Sequence, residues 1–326
     1  MKALVTGSNG FIGSHLVEYL LEKGHSVRCL IRKTSNLQWI KHLPVEFVYG
    51  DVTNSESLPK VVEGMDYIFH LGGTVRARDE DGFLRVNHRG TKNLLDACIQ
   101  HNGGIKRFLF ASSQAAAGPA VSKTPVKESD EPNPISMYGR SKRVAEREVM
   151  EYADRLPVTI VRPPSVYGER DDDILELFKY VNMGVKLLVG KDDKYLSLIH
   201  VRDLVRGIYL AVTSDKSIGE IYFLTNMDHY TTDQIETQIA AVLGKKTITI
   251  RFPEFLIDFY AFVSESIARL RNSVALVNKD KALEMKQPFW LVDGAKAKAH
   301  LGFESEIPFP DGIRSTAEWY NENGWI

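Results

Sequence analysis

The chain has 326 residues, 44% of them apolar and 25% charged, the proportions of an ordinary globular protein large enough for one big domain or a core with a second lobe. Lys and Arg number 41 against 42 Asp and Glu, a net charge of -1, which argues against the basic footprint that nucleic-acid binding needs. Two cysteines, Cys29 and Cys98, are too few for a disulfide framework or a metal cluster, and each is expected as a small core residue. The chain opens on a strand pattern without a charged leader. No apolar run reaches the roughly 18 residues of a membrane span. The nearest candidate, "FLIDFYAFVSESIARL" from Phe255, is broken by Asp258 and Glu265, so a cytoplasmic location is expected.

Taken in order, "KALVT" reads as a short buried strand, followed by a glycine loop and the amphipathic helix "FIGSHLVEYLLEKG". Strand "SVRCLI", a short helix, strand "VEFVYG", a helix near 55–63 and strand "DYIFHL" come next. A single long helix, "FLRVNHRGTKNLLDACIQH", leads to strand "IKRFLFAS". After a proline-containing loop a helix carries "YGRSK", and strand "VTIVRP" follows. Short apolar runs alternating with helical periods predict an α/β fold, a doubly wound parallel sheet. The pattern loosens after about Ser165. The expected division is a dinucleotide-binding core over 1–165 and a smaller, mostly helical substrate lobe over 166–326, with about 195–225 returning to the core.

"TGSNGFIG" places Gly7, Gly10 and Gly13 between the first strand and the first helix. Gly7 permits the tight turn, Gly10 lets backbone approach a pyrophosphate, and Gly13 lets helix and strand pack closely. The helix N-terminus adds unpaired N–H groups and partial positive charge. With Asn9, Phe11 and Ile12, these residues form the expected phosphate cradle. At the end of the second strand an NAD site usually puts a carboxylate on the ribose hydroxyls. Here Ile31 stands in that place, followed by Arg32 and Lys33. A guanidinium suits a 2′-phosphate, which predicts NADP as the preferred cofactor and NAD as the alternative.

In "YGRSK", Tyr138 and Lys142 are four apart, on one helix face. An ammonium one turn from a phenol favours the phenolate, so a group with a pKa near ~10 is expected to serve as a base nearer neutrality.

The chain resembles the extended short-chain dehydrogenase/reductase superfamily, in its epimerase/dehydratase branch. The resemblance rests on "TGSNGFIG", "GDVTN", "FHLGGT", "VNHRGTKNLL", "FASSQAAAG", "YGRSK", "VRPPSVYG" and "LIHVRDLVRGI", all in family order. It implies a Rossmann fold with Tyr138, Lys142 and Ser113 as the catalytic set, and with Ser112 a cofactor-contacting neighbour. Asp51 and Val52 would border the adenine, and Leu71, Gly72 and Gly73 would line the middle of the cofactor. Asn87 would support the site, and Pro163, Ser165 and Val166 would pack near the nicotinamide. It also implies a homodimer, paired through the helices near 83–101 and at YGRSK.

Departures from the family narrow the reaction. Gln114 and Ala115 replace the Asp-Glu pair with which sugar-nucleotide dehydratases drive water loss. Ser165 replaces the asparagine usual in nucleotide-sugar epimerases, and Leu196 replaces an arginine that holds the substrate diphosphate. "RPPSVYG" and the closing segment resemble the 3β-hydroxysteroid dehydrogenase and dihydroflavonol reductase side. The expectation is a reductase or dehydrogenase acting between ketone and secondary alcohol on a small apolar substrate. The alternatives are an NAD-dependent nucleotide-sugar epimerase and a non-catalytic dinucleotide sensor. The stretch 253–268 is a candidate greasy lid, and "ERDDD" (169–173) is expected to be a solvated loop. Arg202 and Arg206 are expected on a helix surface. His70 and His200 lack metal-ligand spacing, so no metal is expected.

Overall fold

A computed structural model of the chain describes residues 1–271, 275 and 278–326. The strands are β1 (Lys2–Thr6), β2 (Ser26–Ile31), β3 (Glu46–Tyr49), β4 (Tyr67–His70), β5 (Arg107–Ala111), β6 (Val158–Arg162), β7 (Ser165–Tyr167), β8 (Val185–Val189), β9 (Tyr195–His200), β10 (Glu220–Phe223), β11 (His229–Thr231), β12 (Ile248–Phe252) and β13 (Phe289–Trp290). The helices are α1 (Phe11–Glu22), α2 (Pro59–Val62), α3 (Glu80–Leu84), α4 (Gly90–His101), α5 (Met137–Glu151), α6 (Leu175–Asn182), α7 (Val201–Thr213), α8 (Thr232–Leu243), α9 (Glu254–Leu270), α10 (Lys279–Lys286), α11 (Ala295–Leu301) and α12 (Phe309–Glu322).

Seven strands form one parallel sheet in the order β10-β6-β5-β4-β1-β2-β3. Its central strands are buried on both faces, as the unbroken apolar runs require. On one face Leu16, Val17 and Leu20 of α1 pack with Leu204, Val205 and Ile208 of α7. Val61 of α2, Leu94 and Leu95 of α4, and Ala145 and Val149 of α5 cover the other. Chain order reverses between β1 and β4, so the crevice for a ligand opens at their carboxyl ends. Cys29 and Cys98 are buried free thiols, as expected of core residues.

Two local expectations need correction. No helix forms between β2 and β3; that stretch is a run of turns, with only Ile40 of its interior fully buried. The long helix expected around Asn87 is interrupted: α3 passes through a π-helical turn, Arg85–Arg89, before α4 begins. Such turns insert one residue per turn and turn side chains off the regular face, here at Asn87. The chain after β6 is mostly helical, as expected, and it also folds two small sheets. It holds β7, β9, β11 and β13 as one small sheet and β8 with β12 as another. Its own core is built by Tyr167, Phe178, Ile239, Phe309 and Tyr320. β10, which lies between β9 and β11 in sequence, leaves that small sheet, pairs with β6 and widens the large one.

Candidate active site

The loops after β1 and β4 meet at the switch point. Gly7 has a φ of +68°, and a Cβ there would stand 2.9 Å from the Gly72 nitrogen, so only glycine lets the two loops close. A Cβ on Gly13 would stand 2.0 Å from the Gly7 oxygen, which explains the glycine one turn into α1. No side chain caps the α1 N-terminus, so its first N–H groups face the crevice. This cradle fits a dinucleotide pyrophosphate.

Beneath it, the Gly72 N–H donates to Thr6 Oγ1 at 2.9 Å, and that hydroxyl lies 2.7 Å from His70 Nδ1. On the other side His70 Nε2 lies 2.9 Å from Thr91 Oγ1, which donates to the Asn87 carbonyl. Thr6 can donate only to the ring, and Thr91 only accepts from it, so the proton sits on Nε2. Burial, helped by the nearby Lys142 charge, pushes His70 down to about 3 and keeps it neutral. The sequence motif "FHLGGT" contains this histidine, but nothing in it signals the two threonines that hold the ring.

Asn87 is the joint between loop and helix. Its Oδ1 accepts from Thr74 N at 2.7 Å, and its Nδ2 donates to Thr74 O and to Ser141 Oγ. Ser141, inside YGRSK, donates in turn to the Tyr138 carbonyl at 2.7 Å. Thr74 and Ser141 are therefore partners of Asn87 that motif reading missed. A Cβ on Gly73 would lie 3.0 Å from Asn87 Oδ1 and 3.4 Å from Lys142 Nζ, which brings Gly73, Asn87 and Lys142 to one spot.

Ser113 caps a short 3-10 turn, accepting from Ala115 N at 3.1 Å. Its hydroxyl lies near enough to the Tyr138 phenol to pull that group's pKa down. Tyr138 opens α5, beside the Phe83 ring. Its amide and that of Met137 donate to Asp280 of α10, at 3.3 and 2.7 Å. Lys142 is buried one turn on; its ammonium donates to Ala111 O at 2.7 Å and lies 4.7 Å from the Phe110 ring centre.

The electrostatics differ from the expectation for this pair. Burial pushes Tyr138 up to about 12; Ser113 pulls the other way, and the Glu284 and Asp173 carboxylates add to the rise. Burial pushes Lys142 down to about 8, against the pull of Glu146. In the protein alone, enclosure dominates and the phenol stays protonated at neutral pH.

The remaining residues singled out by sequence are placed as follows. Asn9 donates to Asn36 O at 3.2 Å, Phe11 meets His15 edge to face, and Ile12 packs against the core. Gly10 donates to Gly7 O, closing the loop. Asp51 holds Thr53 through both its amide and hydroxyl at 2.8 Å, and Val52 packs against Gly90. Leu71 packs against the core below the crevice. Ser112 is buried, and its Oγ has no partner among the described residues. Pro163 accepts from Gln114 N beside Ser113. Ser165 and Val166 lie on β7, paired to Leu198 and Ile199, and Ser165 is exposed. Arg32 and Lys33 are exposed at the end of β2.

The solvated reading of "ERDDD" is overturned for two of its residues. Glu169 is buried against Arg202 at 2.6 Å, with His200 3.6 Å and His15 3.9 Å away. Asp171 is buried, caps the amides of Asp173 and Ile174, and is pushed up to about 7 by burial. Arg206 is no free surface residue either: it binds Asp203, Glu306 and the Glu304 carbonyl. Among the described residues no group of three metal-ligating side chains gathers, and no helix is long and apolar enough to cross a membrane.

A seven-stranded parallel sheet with a glycine cradle at its switch point has the architecture of a Rossmann-type dinucleotide-binding fold. Residues 3–224 match the NAD dependent epimerase/dehydratase family. The chain belongs to that family and is an NAD(P)-dependent enzyme of the extended short-chain dehydrogenase/reductase superfamily. It is 29% identical to a ceramide reductase of Caulobacter vibrioides, over 99% of this chain and 95% of that one. A 3-beta-hydroxysteroid dehydrogenase of Mycolicibacterium neoaurum is 31% identical over 77% of this chain and 72% of its own length. The solved UDP-glucose 4-epimerase of Thermotoga maritima superimposes with a TM-score of 0.83 over 99% of both chains; at 23% identity this shows a common fold.

Proposed function

We propose that this protein interconverts a ketone and a secondary alcohol on a largely apolar molecule, using NADP in preference to NAD. The observation that carries the reading is the grouping of Tyr138 near Ser113, with Lys142 one turn on beside Gly73; burial holds the phenol above its usual range. A bound nicotinamide would supply or accept the hydride. In the reductive direction Tyr138 gives its proton to the substrate oxygen. Ser113 donates a hydrogen bond to the same oxygen and holds it in place as charge develops there. Lys142, charged below about pH 8 and beside Gly73, electrostatically favours loss of the tyrosine proton.

The apolar substrate rests on what is missing and on the relatives. Leu196 offers no charge to a diphosphate, and Gln114 and Ala115 offer no acid–base pair for dehydration. Ceramide and 3β-hydroxysteroids, named for the relatives above, are both lipids. Exposed Arg32 and Lys33 at the end of β2, with Ile31 in place of an acid, support NADP.

Separate titrations of NADPH and NADH, followed by a screen of apolar ketones, test this. NADPH should bind at least about tenfold tighter, about 1.4 kcal/mol, and Arg32→Ala with Lys33→Ala should abolish that margin. Co-purified NAD that does not exchange, with no ketone reduced, would point to the epimerase instead.

A further inference from the structure

α9 is apolar around most of its circumference, which is unusual for a helix on the outside of a protein. Ile257 and Ala261 form its buried stripe, packed on Ala282 of α10 with Val189 and Phe252. At about 100° per residue the opposite side should be polar. It instead carries Phe255 and Phe259, each 64% exposed, and Phe262, 57% exposed, with Leu256, Ile267 and Tyr260 along one flank. Just before the helix, Ile248 and Ile250 of β12 are exposed as well. So concentrated an aromatic face marks a surface that something covers.

The charges around it say what. The acids of the helix lie toward one flank and are engaged: Glu254 with Lys194, Asp258 with Lys286, and Glu265 with the Lys279 amide. Exposed Lys245 and Lys246 stand just before β12 in the chain. The stretch 245–286 holds eight Lys and Arg against five Asp and Glu, in a chain whose net charge is -1. An exposed aromatic face within a stretch of net positive charge suits an anionic lipid surface. A twofold pairing of two copies would instead set like charge against like. The helix has 17 residues, about 25 Å at about 1.5 Å each, so it would lie in the interface rather than cross it.

The position is apt. α10, which α9 packs on, supplies the Asp280 carboxylate that caps the helix bearing Tyr138. We propose that the aromatic face of α9, with the exposed lysines that precede β12, docks the protein on an anionic membrane surface, from which a lipid-borne ketone or alcohol reaches the site. The second clause rests on the proposed function; the docking itself does not.

The test is sedimentation of the full chain with vesicles of phosphatidylcholine alone and of phosphatidylcholine mixed with phosphatidylglycerol, with no substrate present. Wild type should pellet with the mixed vesicles and less with phosphatidylcholine, and added salt should release it. Phe255→Ser with Phe259→Ser should weaken binding at least about tenfold on both. Lys245→Glu with Lys246→Glu should weaken it about tenfold on the mixed vesicles alone. Circular dichroism and NADPH affinity, unchanged in both variants, show that the fold survives. Wild type that stays in solution with both vesicles, or pellets regardless of the substitutions, overturns the proposal. So does a dimer that the phenylalanine variant breaks while no vesicle is bound, since a second copy would then cover the face. Reduction of water-soluble ketones without vesicles tests the proposed function separately, so either idea can fail while the other stands.

Discussion

Asp280, on a short helix of the second lobe, accepts hydrogen bonds from the backbone amides of Met137 and Tyr138, at 2.7 and 3.3 Å. A carboxylate there satisfies two of the free donors at the start of α5 and favours its dipole, while Ser136 takes the Gly139 amide. The lobe is thereby tied to the very turn that aims the phenol. Asp280→Ala should cost about 1 kcal/mol of stability and lower kcat more than it changes NADPH affinity. Thermal unfolding and steady-state kinetics check both; an unchanged kcat would show that the cap does not position Tyr138.

Tyr138→Phe removes the proton donor and leaves the ring beside Phe83. Ketone reduction should fall by about 10²- to 10⁴-fold in kcat, with NADPH binding unchanged by calorimetry. Turnover at the wild-type rate would remove Tyr138 from the chemistry.

The pH profile should be set by Lys142, not by the phenol. Burial lowers Lys142 to about 8, so it carries its charge below that pH and loses it above. Tyr138, raised to about 12, stays protonated throughout the working range. With NADPH saturating, kcat should hold up to about pH 8 and decline beyond. Lys142→Arg keeps the charge and should erase that decline, even if the rate is lower overall. A decline at the same pH in the arginine variant would assign it to another group.

Glu146 sits one turn past Lys142 and joins Arg162 of β6 through two bonds of 2.7 Å, with side chains 0% and 1% exposed. Removing one partner strands the other's charge in the core, so Glu146→Ala should cost about 3–5 kcal/mol in urea unfolding. Glu146 also holds the Lys142 pKa up. The same substitution should therefore move the decline in kcat to lower pH, a shift that a purely structural loss would not produce.

What sequence could determine was whatever local spacing encodes. Alternating apolar runs gave the parallel sheet, because a strand buried on both faces must be apolar throughout. Glycines at 7, 10 and 13 announced the cradle, because only a residue without Cβ admits those approaches. The four-residue step from Tyr138 to Lys142 placed both on one helix face. Tertiary structure alone decided the rest, because each remaining feature depends on groups distant in the chain. Asp280 reaches Tyr138 across 142 residues, and Arg202 draws Glu169 out of a loop that reads as solvated. Enclosure by such distant neighbours sets the Tyr138 pKa, reversing the direction that its spacing from Lys142 suggests. Periodicity fixes which face a side chain takes, but the cost of its charge depends on what the fold places around it.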